Sequence, residues 1–325
     1  MKKFIKIISA YLLLLCLLTL GVNAVYEGLG LGMTDNIQKF FQMPAEIRLC
    51  NFGSSHGRDS FFYGELEEKG LQDYCFNFAL SSQSLSYDAR LLQFYQERLS
   101  EGAVVFIPVS YFSLYGIPEN ESYNFADKNT RYYSLLPSEY IKECSWTVAL
   151  MVKYPVLLAG PQLLPRMVEA VTEREKAGST AGINGTNAQA AAEYAGIVVK
   201  NHLFFEKMDD GGERILNQEE LDALYEMIAL CRARGATPIL ITTPYLAEYN
   251  QEVGRADPDF LESFHALIAQ VQRETGAEYY DYSADERFCG EYSLFMNSDH
   301  LNRAGARLFT SILMDEVVGD RLSFS

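Results

Sequence analysis

The run Ala103-Val-Val-Phe-Ile-Pro-Val109 contains no polar side chain, and it constrains the fold more than any other stretch. A strand with one wet face alternates apolar and polar residues; one without alternation is buried on both faces. Such a strand needs a sheet with helices above and below it. The flanking segments supply both elements. Ala45–Phe52 and Tyr74–Ala79 read as strands and Arg58–Lys69 as a helix stopped by Gly70, while Tyr87–Leu99 carries Leu91, Leu92, Tyr95 and Leu99 at helical spacing. Further along, Asn217 caps a helix reaching Arg234, with Glu220 three residues on as the reciprocal member of a capping box. Thr237–Thr243 is a strand, Asp259–Thr275 a helix, Glu278–Tyr282 a last short strand and Asn302–Val318 the closing helix. Strands alternating with helices specify an α/β fold with a parallel sheet.

Between about residues 116 and 205 the alternation fails, which marks an insertion. Residues 123–171 are rich in Tyr, Leu and Pro, and Trp146–Leu164 is apolar enough for membrane contact, although Lys153, Pro155 and Pro161 oppose a second full span. Residues 172–195 turn to Gly, Ala, Thr and Asn and read as a mobile loop. A lid over a site and a merely decorative insertion are both consistent with this pattern.

Lys2, Lys3 and Lys6 precede Ile7–Tyr26, which carries no charge. Twenty helical residues cover about 30 Å, the thickness of a bilayer core. Basic residues stay cytoplasmic, so the body is expected outside the cell membrane. The reading is a single-pass anchor over residues 1–28, a connector over 29–44 and one domain over 45–325. The rival is a signal peptide cleaved after Val22-Asn23-Ala24. Of 27 basic residues, 24 follow the apolar run, against all 43 acidic ones, a balance of −19 outside. That charge argues against nucleic acid or anionic lipid as a partner. Five cysteines lie beyond the run, widely spaced and odd in number, which points to buried thiols rather than a disulfide framework; a Cys50–Cys75 pair is the alternative. No CxxC, HExxH or histidine cluster suggests a metal site.

Two blocks carry chemistry. The first is Gly53-Ser54-Ser55-His56-Gly57, where the first strand gives way to a helix-compatible segment. A serine on a strand-to-helix turn stands above the carboxyl edge of a sheet, with backbone N–H groups facing a developing oxyanion. The second is Asn297-Ser-Asp299-His300-Leu-Asn302, just before the closing helix. Acyl transfer needs a serine, a base and a group that orients the base. His300 is the base candidate, since His265 lies within a helix, His202 in the insertion, and His56, beside the nucleophile, reads as a pocket or packing residue. Tyr245 and Tyr249 follow a strand at the sheet's carboxyl edge, where open α/β folds bind ligands.

Gly53-Ser54-Ser55 resembles the first block of SGNH/GDSL-type hydrolases, and Asn297…His300-Leu-Asn resembles the last. The likeness is greatest to the membrane-tethered, DltD-like and alginate-acetylation-like branch, over roughly residues 45–316. The resemblance implies a three-layer αβα, flavodoxin-like domain. It makes Ser55 the nucleophile and His300 the base, with the N–H groups of Ser55 and Ala79 and the side chain of Ser54 or Ser110 around the oxyanion. The family's Asp-x-x-His becomes Asn297-x-x-His300, and its third-block Asn is absent, with Ser110 in that segment. Asn297 orients an imidazole without charge; Asp299 carries the charge but adjoins His300, and neighbouring side chains rarely face each other. The implied activity is a serine esterase or O-acyltransferase acting on envelope glycan or teichoic acid through an acyl-serine. A membrane O-acyltransferase is the implied partner, and no cofactor is needed. The alternative is a non-catalytic glycan- or partner-binding protein on the same fold.

Overall fold

The computed structural model describes residues 2–28, 35–64, 66, 70–117, 121, 125–154, 164–165, 167–168, 185–203 and 214–322. The chain divides into two compact units, one of Met1–Gln42 with Ala126–Thr180 and the other of Met43–Phe125 with Ala181–Ser325. Part of the expected insertion therefore belongs with the N-terminal helix. The rest returns to the body that holds the sheet.

In the first unit, α1 (Lys2–Gly28) is long and apolar enough to cross a membrane, and no residue of its most apolar stretch is buried among the described residues. α4 (Trp146–Lys153) is also apolar, with no buried residue and with Trp146 79% exposed. The connector's residues 29–34 lie outside the described ones.

The second unit contains five parallel strands: β1 (Ile47–Asn51), β2 (Cys75–Asn77), β3 (Leu99–Pro108), β4 (Thr237–Thr242) and β5 (Glu278–Asp281). Their order across the sheet is β2-β1-β3-β4-β5. This is a doubly wound order, reversing between β1 and β3, and ligands of such sheets bind outside the carboxyl ends at that reversal. Alternate residues of each strand face opposite layers. Leu49, Val104, Phe106, Ile239 and Ile241 share one apolar core with Phe309 and Leu313 of α9 (Arg303–Leu313) and with Val317 just beyond it. Cys50, Val105, Ile107 and Leu240 are fully buried on the other side. There α3 (Leu85–Tyr95) packs on α6 (Gln218–Ala233), which also covers β4.

Asn217 caps α6 by accepting from the Glu220 N–H. The reciprocal bond of a capping box is not made, because the Asn217 N–H donates to Leu114 O. Glu220 reaches instead to α3, accepting from the Ser86 N–H at 3.0 Å and the Ser86 hydroxyl at 2.8 Å. A carboxylate there complements the positive end of α3 and locks the two helices together. The closing segment ends differently from the expected α-helix: α9 passes into a π-helix over Met314–Val318. Residues 188–195, which read as mobile loop in the sequence, form the start of α5 (Ala188–Leu203), which packs on α7 (Ala247–Ala256). The next helix is α8 (Phe260–Thr275). All six cysteines are free, and Cys50, Cys75 and Cys231 are buried. Burial pushes the Cys75 and Cys231 thiols up to about 12, so the buried thiols are unreactive at neutral pH.

The turn after β1 is tightly built. Gly53 has φ +111°, outside what side-chain-bearing residues adopt comfortably. The short helix α2 (Ser55–Ser60) sits so close to β1 that a Cβ on Gly57 would collide with Phe52 O. Gly305 in α9 is equally confined, and a Cβ there would collide with Leu294 O. Backbone cannot yield as a side chain can. Gly57→Ala and Gly305→Ala should each destabilise by about 3 kcal/mol, the upper end of overpacking costs. Gly254→Ala, in α7 with open space around it, should instead gain about 1 kcal/mol of helix propensity. Thermal unfolding of the three variants checks the contrast.

Candidate active site

Ser55 opens α2, directly after β1, so its N–H has no carbonyl one turn back within the helix. Two carboxamides at the strand ends fix that helix. Asn51 Nδ2 donates to Phe52 O at 3.1 Å and to Gly57 O at 3.0 Å. Asn77 Nδ2 donates to Gly57 O and to Arg58 O, both at 3.2 Å. The Gly53 N–H donates to the buried carboxylate of Asp88 at 3.0 Å. Ser55 is thus pinned at the carboxyl end of β1.

His300 approaches from the other end of the chain. Its loop is pinned by Met296 N–H to His300 O and by Asn302 N–H to Leu294 O, both at 2.9 Å. Asn302 also caps α9, accepting from the Ala304 and Gly305 N–H groups. His300 Nε2 stands 2.8 Å from Ser55 Oγ, hydrogen-bond distance for a base and its nucleophile. His300 Nδ1 lies 3.1 Å from Asp299 Oδ1 and 3.1 Å from Asn297 Oδ1. The expectation that neighbours do not face each other fails here for a local reason. Asn297 Oδ1 accepts from the Asp299 and His300 N–H groups at 3.2 and 2.9 Å, folding the chain into a tight turn. That turn sends both side chains inward. Asn297 therefore shapes the turn, and Asp299 brings the charge.

Asp299 has a second partner. Its Oδ2 is 2.9 Å from His56 Nε2, and both side chains are fully buried. His56 Nδ1 in turn meets Ser110 Oγ at 2.7 Å and the Tyr245 hydroxyl at 3.4 Å. Burial lowers the pKa of His56 despite the Asp299 hydrogen bond. A neutral imidazole whose Nε2 faces a carboxylate carries its proton there, which leaves Nδ1 to accept from Ser110, the nearer of the two hydroxyls. Burial works to raise the Asp299 pKa, but the hydrogen bonds from His300 and His56 outweigh it and hold the carboxyl well below its usual range. Burial also works to lower His300; the Asp299 hydrogen bond and charge prevail and raise it.

The structure thus brings Ser55, His300, Asn297 and Asp299 together. The expected oxyanion donors fare differently. The Ala79 N–H is spent on Asn77 Oδ1 at 3.0 Å and Ala79 is fully buried, so it is not available to an oxyanion. Ser110 Oγ and the hydroxyl of Tyr245, which is 0% exposed, both face His56 Nδ1. Tyr249 is buried as well, its hydroxyl 2.8 Å from His202 Nδ1. The Ser55 N–H remains, with Ser54 beside it; Ser54 makes no side-chain capping bond.

His56 and α5 are the parts that sequence reasoning misses. His56 adjoins the nucleophile, and its adjacency hides that it points back into the protein. α5 brings His202 to within 6.3 Å of the His56 ring and 4.3 Å of Phe112. Gly185 and Thr186 lead into it: the Thr186 N–H donates to Tyr292 O and Phe295 O at 3.1 and 3.0 Å, and a Cβ on Gly185 would lie 2.8 Å from Ser293 Cα. The available signal is the alanine run after Asn187, a strong helix former.

His56, Asp299 and His300 also form the one group of potential metal ligands found among the described residues, their ligating atoms within 4.8 Å of one another. The two nitrogens facing Asp299 are engaged with it, so an ion would have to displace both hydrogen bonds. The arrangement suits proton transfer better. The sequence matches no family model and no curated protein.

Asp299 and Asn297 can be told apart. Asp299→Asn should slow reaction of Ser55 about 10⁴-fold, by analogy with the buried aspartate of serine proteases. Asn297→Ala should cost roughly tenfold or less. The base works as neutral imidazole, and Asp299 raises its pKa, so reactivity should fall with acid through a midpoint above 6.5. In Asp299→Asn the raising influence is lost and burial remains, so that midpoint should move below the ordinary histidine value of 6.5. The pH dependence of covalent labelling at Ser55 reads both.

Proposed function

We propose that the chain is a serine esterase or O-acyltransferase of SGNH/GDSL type, in the DltD-like and alginate-acetylation-like branch, acting outside the cell on envelope polysaccharide or teichoic acid. The observation that carries this reading is the contact of Ser55 Oγ with His300 Nε2, backed by Asp299 on Nδ1. Attack of Ser55 Oγ on an ester carbonyl forms the C–O bond while His300 Nε2 takes the hydroxyl proton. Asp299 stabilises the imidazolium, and the Ser55 N–H faces the tetrahedral oxyanion. Collapse returns the proton from His300 to the leaving alkoxide and leaves an acyl-serine. An acceptor hydroxyl, or water, then attacks the acyl carbon and gives its proton to His300, which returns it to Ser55 Oγ as the acyl–serine bond breaks. Each step draws on side chains within hydrogen-bond reach of one another.

A bare α1 with Lys2, Lys3 and Lys6 at its start supports a single-pass anchor with the catalytic unit outside. A membrane O-acyltransferase is the partner this arrangement would suit, passing acyl groups outward. One observation favours the second reading, a glycan- or partner-binding protein: the N–H of Ala79 and the hydroxyl of Ser110 are both committed elsewhere, which leaves few donors for an oxyanion.

A fluorophosphonate probe separates the two. Intact-mass analysis of the full chain in detergent should show one adduct on the native protein, absent from Ser55→Ala and slowed by roughly 10³-fold or more in His300→Ala. No adduct on the native protein would overturn the enzyme reading. The anchor has its own test, because Trp146 is the chain's one tryptophan. If the unit holding α1 and α4 lies on a bilayer, Trp146 fluorescence should be quenched by lipids brominated near the headgroup in reconstituted vesicles. Unquenched, water-like emission would remove α4 from the membrane surface.

A further inference from the structure

Asp299 is a carboxylate with no water-facing side, and a single imidazole N–H leaves half of it unsolvated. Its outer oxygen is met by His56, whose ring is held on all sides. The groups that surround it come from five elements: Asp59 on its own helix, Ser110 and Phe112 after β3, Tyr245 after β4, His202 on α5, and Asp299 with His300 in the loop before α9. We propose that His56 is a positioning residue, an Nε2–H donor that grips the outer oxygen of Asp299 and thereby sets how strongly Asp299 pulls on the proton of His300. The inference rests on the Ser55–His300 chemistry above and adds a residue to it.

The chemistry follows from what each proton can do. When Ser55 attacks, His300 becomes an imidazolium facing Asp299. A carboxylate with one donor, buried and desolvated, is a strong enough base to draw that proton to itself, and a proton lost to Asp299 is not available to the leaving group. A second N–H on Oδ2 stabilises the anion and lowers its basicity. The proton then stays on His300. Asp299 holds the proton of His56 on Nε2, and Ser110, 2.7 Å from Nδ1, can donate there and so keep that tautomer, with Tyr245 next to it at 3.4 Å. Asp59, also negative, lies close enough to favour the charged form of His56, and His300 opposes it; burial decides in favour of the neutral ring.

Two substitutions at one position separate positioning from packing. His56→Gln keeps an amide N–H near the place of Nε2, while His56→Phe keeps a ring and removes the donor. The expected result is labelling of Ser55 slowed about 10- to 100-fold in His56→Phe, the effect of losing a hydrogen bond to a buried charge. Its acid midpoint should move upward, because an ungripped Asp299 pulls harder on His300. In His56→Gln the rate should recover most of that loss and the midpoint should return toward the native one. Equal slowing in both variants with an unmoved midpoint would overturn the proposal and make His56 a packing residue. Nitrogen-15 spectra of histidine-labelled full-length protein give a readout independent of catalysis. One imidazole, lost in His56→Gln and His56→Phe alike, should remain the Nε2–H tautomer from about pH 5 to 8. An ordinary titration of that ring would overturn the proposal even if Ser55 labels well. Failure of the native protein to label, with the tautomer intact, would instead count against the esterase reading alone.

Discussion

A buried negative charge organises the candidate site. Asp299 lies out of reach of solvent, and an isolated carboxylate there would take up a proton. It keeps its charge because imidazole N–H groups approach both oxygens. One belongs to His300, which faces the serine; the other belongs to His56, which faces the core. Removing either donor leaves part of the charge uncompensated, so the two histidines are coupled through the carboxylate although they lie far apart in the chain. Ser55, which His300 faces, and the inner histidine, His56, are neighbours on one short helix. That helix therefore delivers both ends of the chain of hydrogen bonds at once.

The sheet makes this convergence inexpensive. β1 and β3 are the strands between which the winding reverses, and the loops leaving their carboxyl ends part toward opposite layers. The Ser55 helix leaves β1 and Ser110 follows β3, so His56 can meet Ser110 across that opening. Tyr245 enters from the end of β4, and the loop before α9 closes from above. Carboxamides clamp this edge, Asn51 and Asn77 holding carbonyls of the turn, beside the buried Asp88 carboxylate that accepts from the Gly53 N–H.

The five strands, their parallel sense and the two chemical blocks are legible in the sequence because each rests on local signals. An unbroken apolar run is buried on both faces, and small residues after a strand make a turn. Composition overextends the short helix after Ser55, since Arg58–Lys69 has helical character while the backbone is claimed by Asn51 and Asn77; residues 65 and 67–69 lie outside the described ones. Contacts across the chain are not legible. Nothing in the order of residues says that Ala79 spends its N–H on Asn77, or that Ser110 and Tyr245 turn to His56. Residues 188–195 read as loop by their small side chains, although the alanines among them favour helix.

The relation of Asn297 to Asp299 shows why a motif read by spacing can mislead about roles. Three residues before the histidine is a position that reaches its ring because one turn of chain separates them, and a carboxylate there does two jobs, shaping the turn and charging the imidazole. Here the jobs are divided. Asn297 keeps the shape, accepting the two N–H groups that close the turn. The closed turn rotates residue 299 inward, which a straight strand, with its alternating side chains, would forbid. Asp299 also lies deeper than Asn297: position 297 is partly exposed and position 299 is fully buried. A deeper carboxylate acts on His300 through less solvent and is more costly to keep ionised. The second histidine answers that cost, and so Asp299 and His56 are best understood as one device.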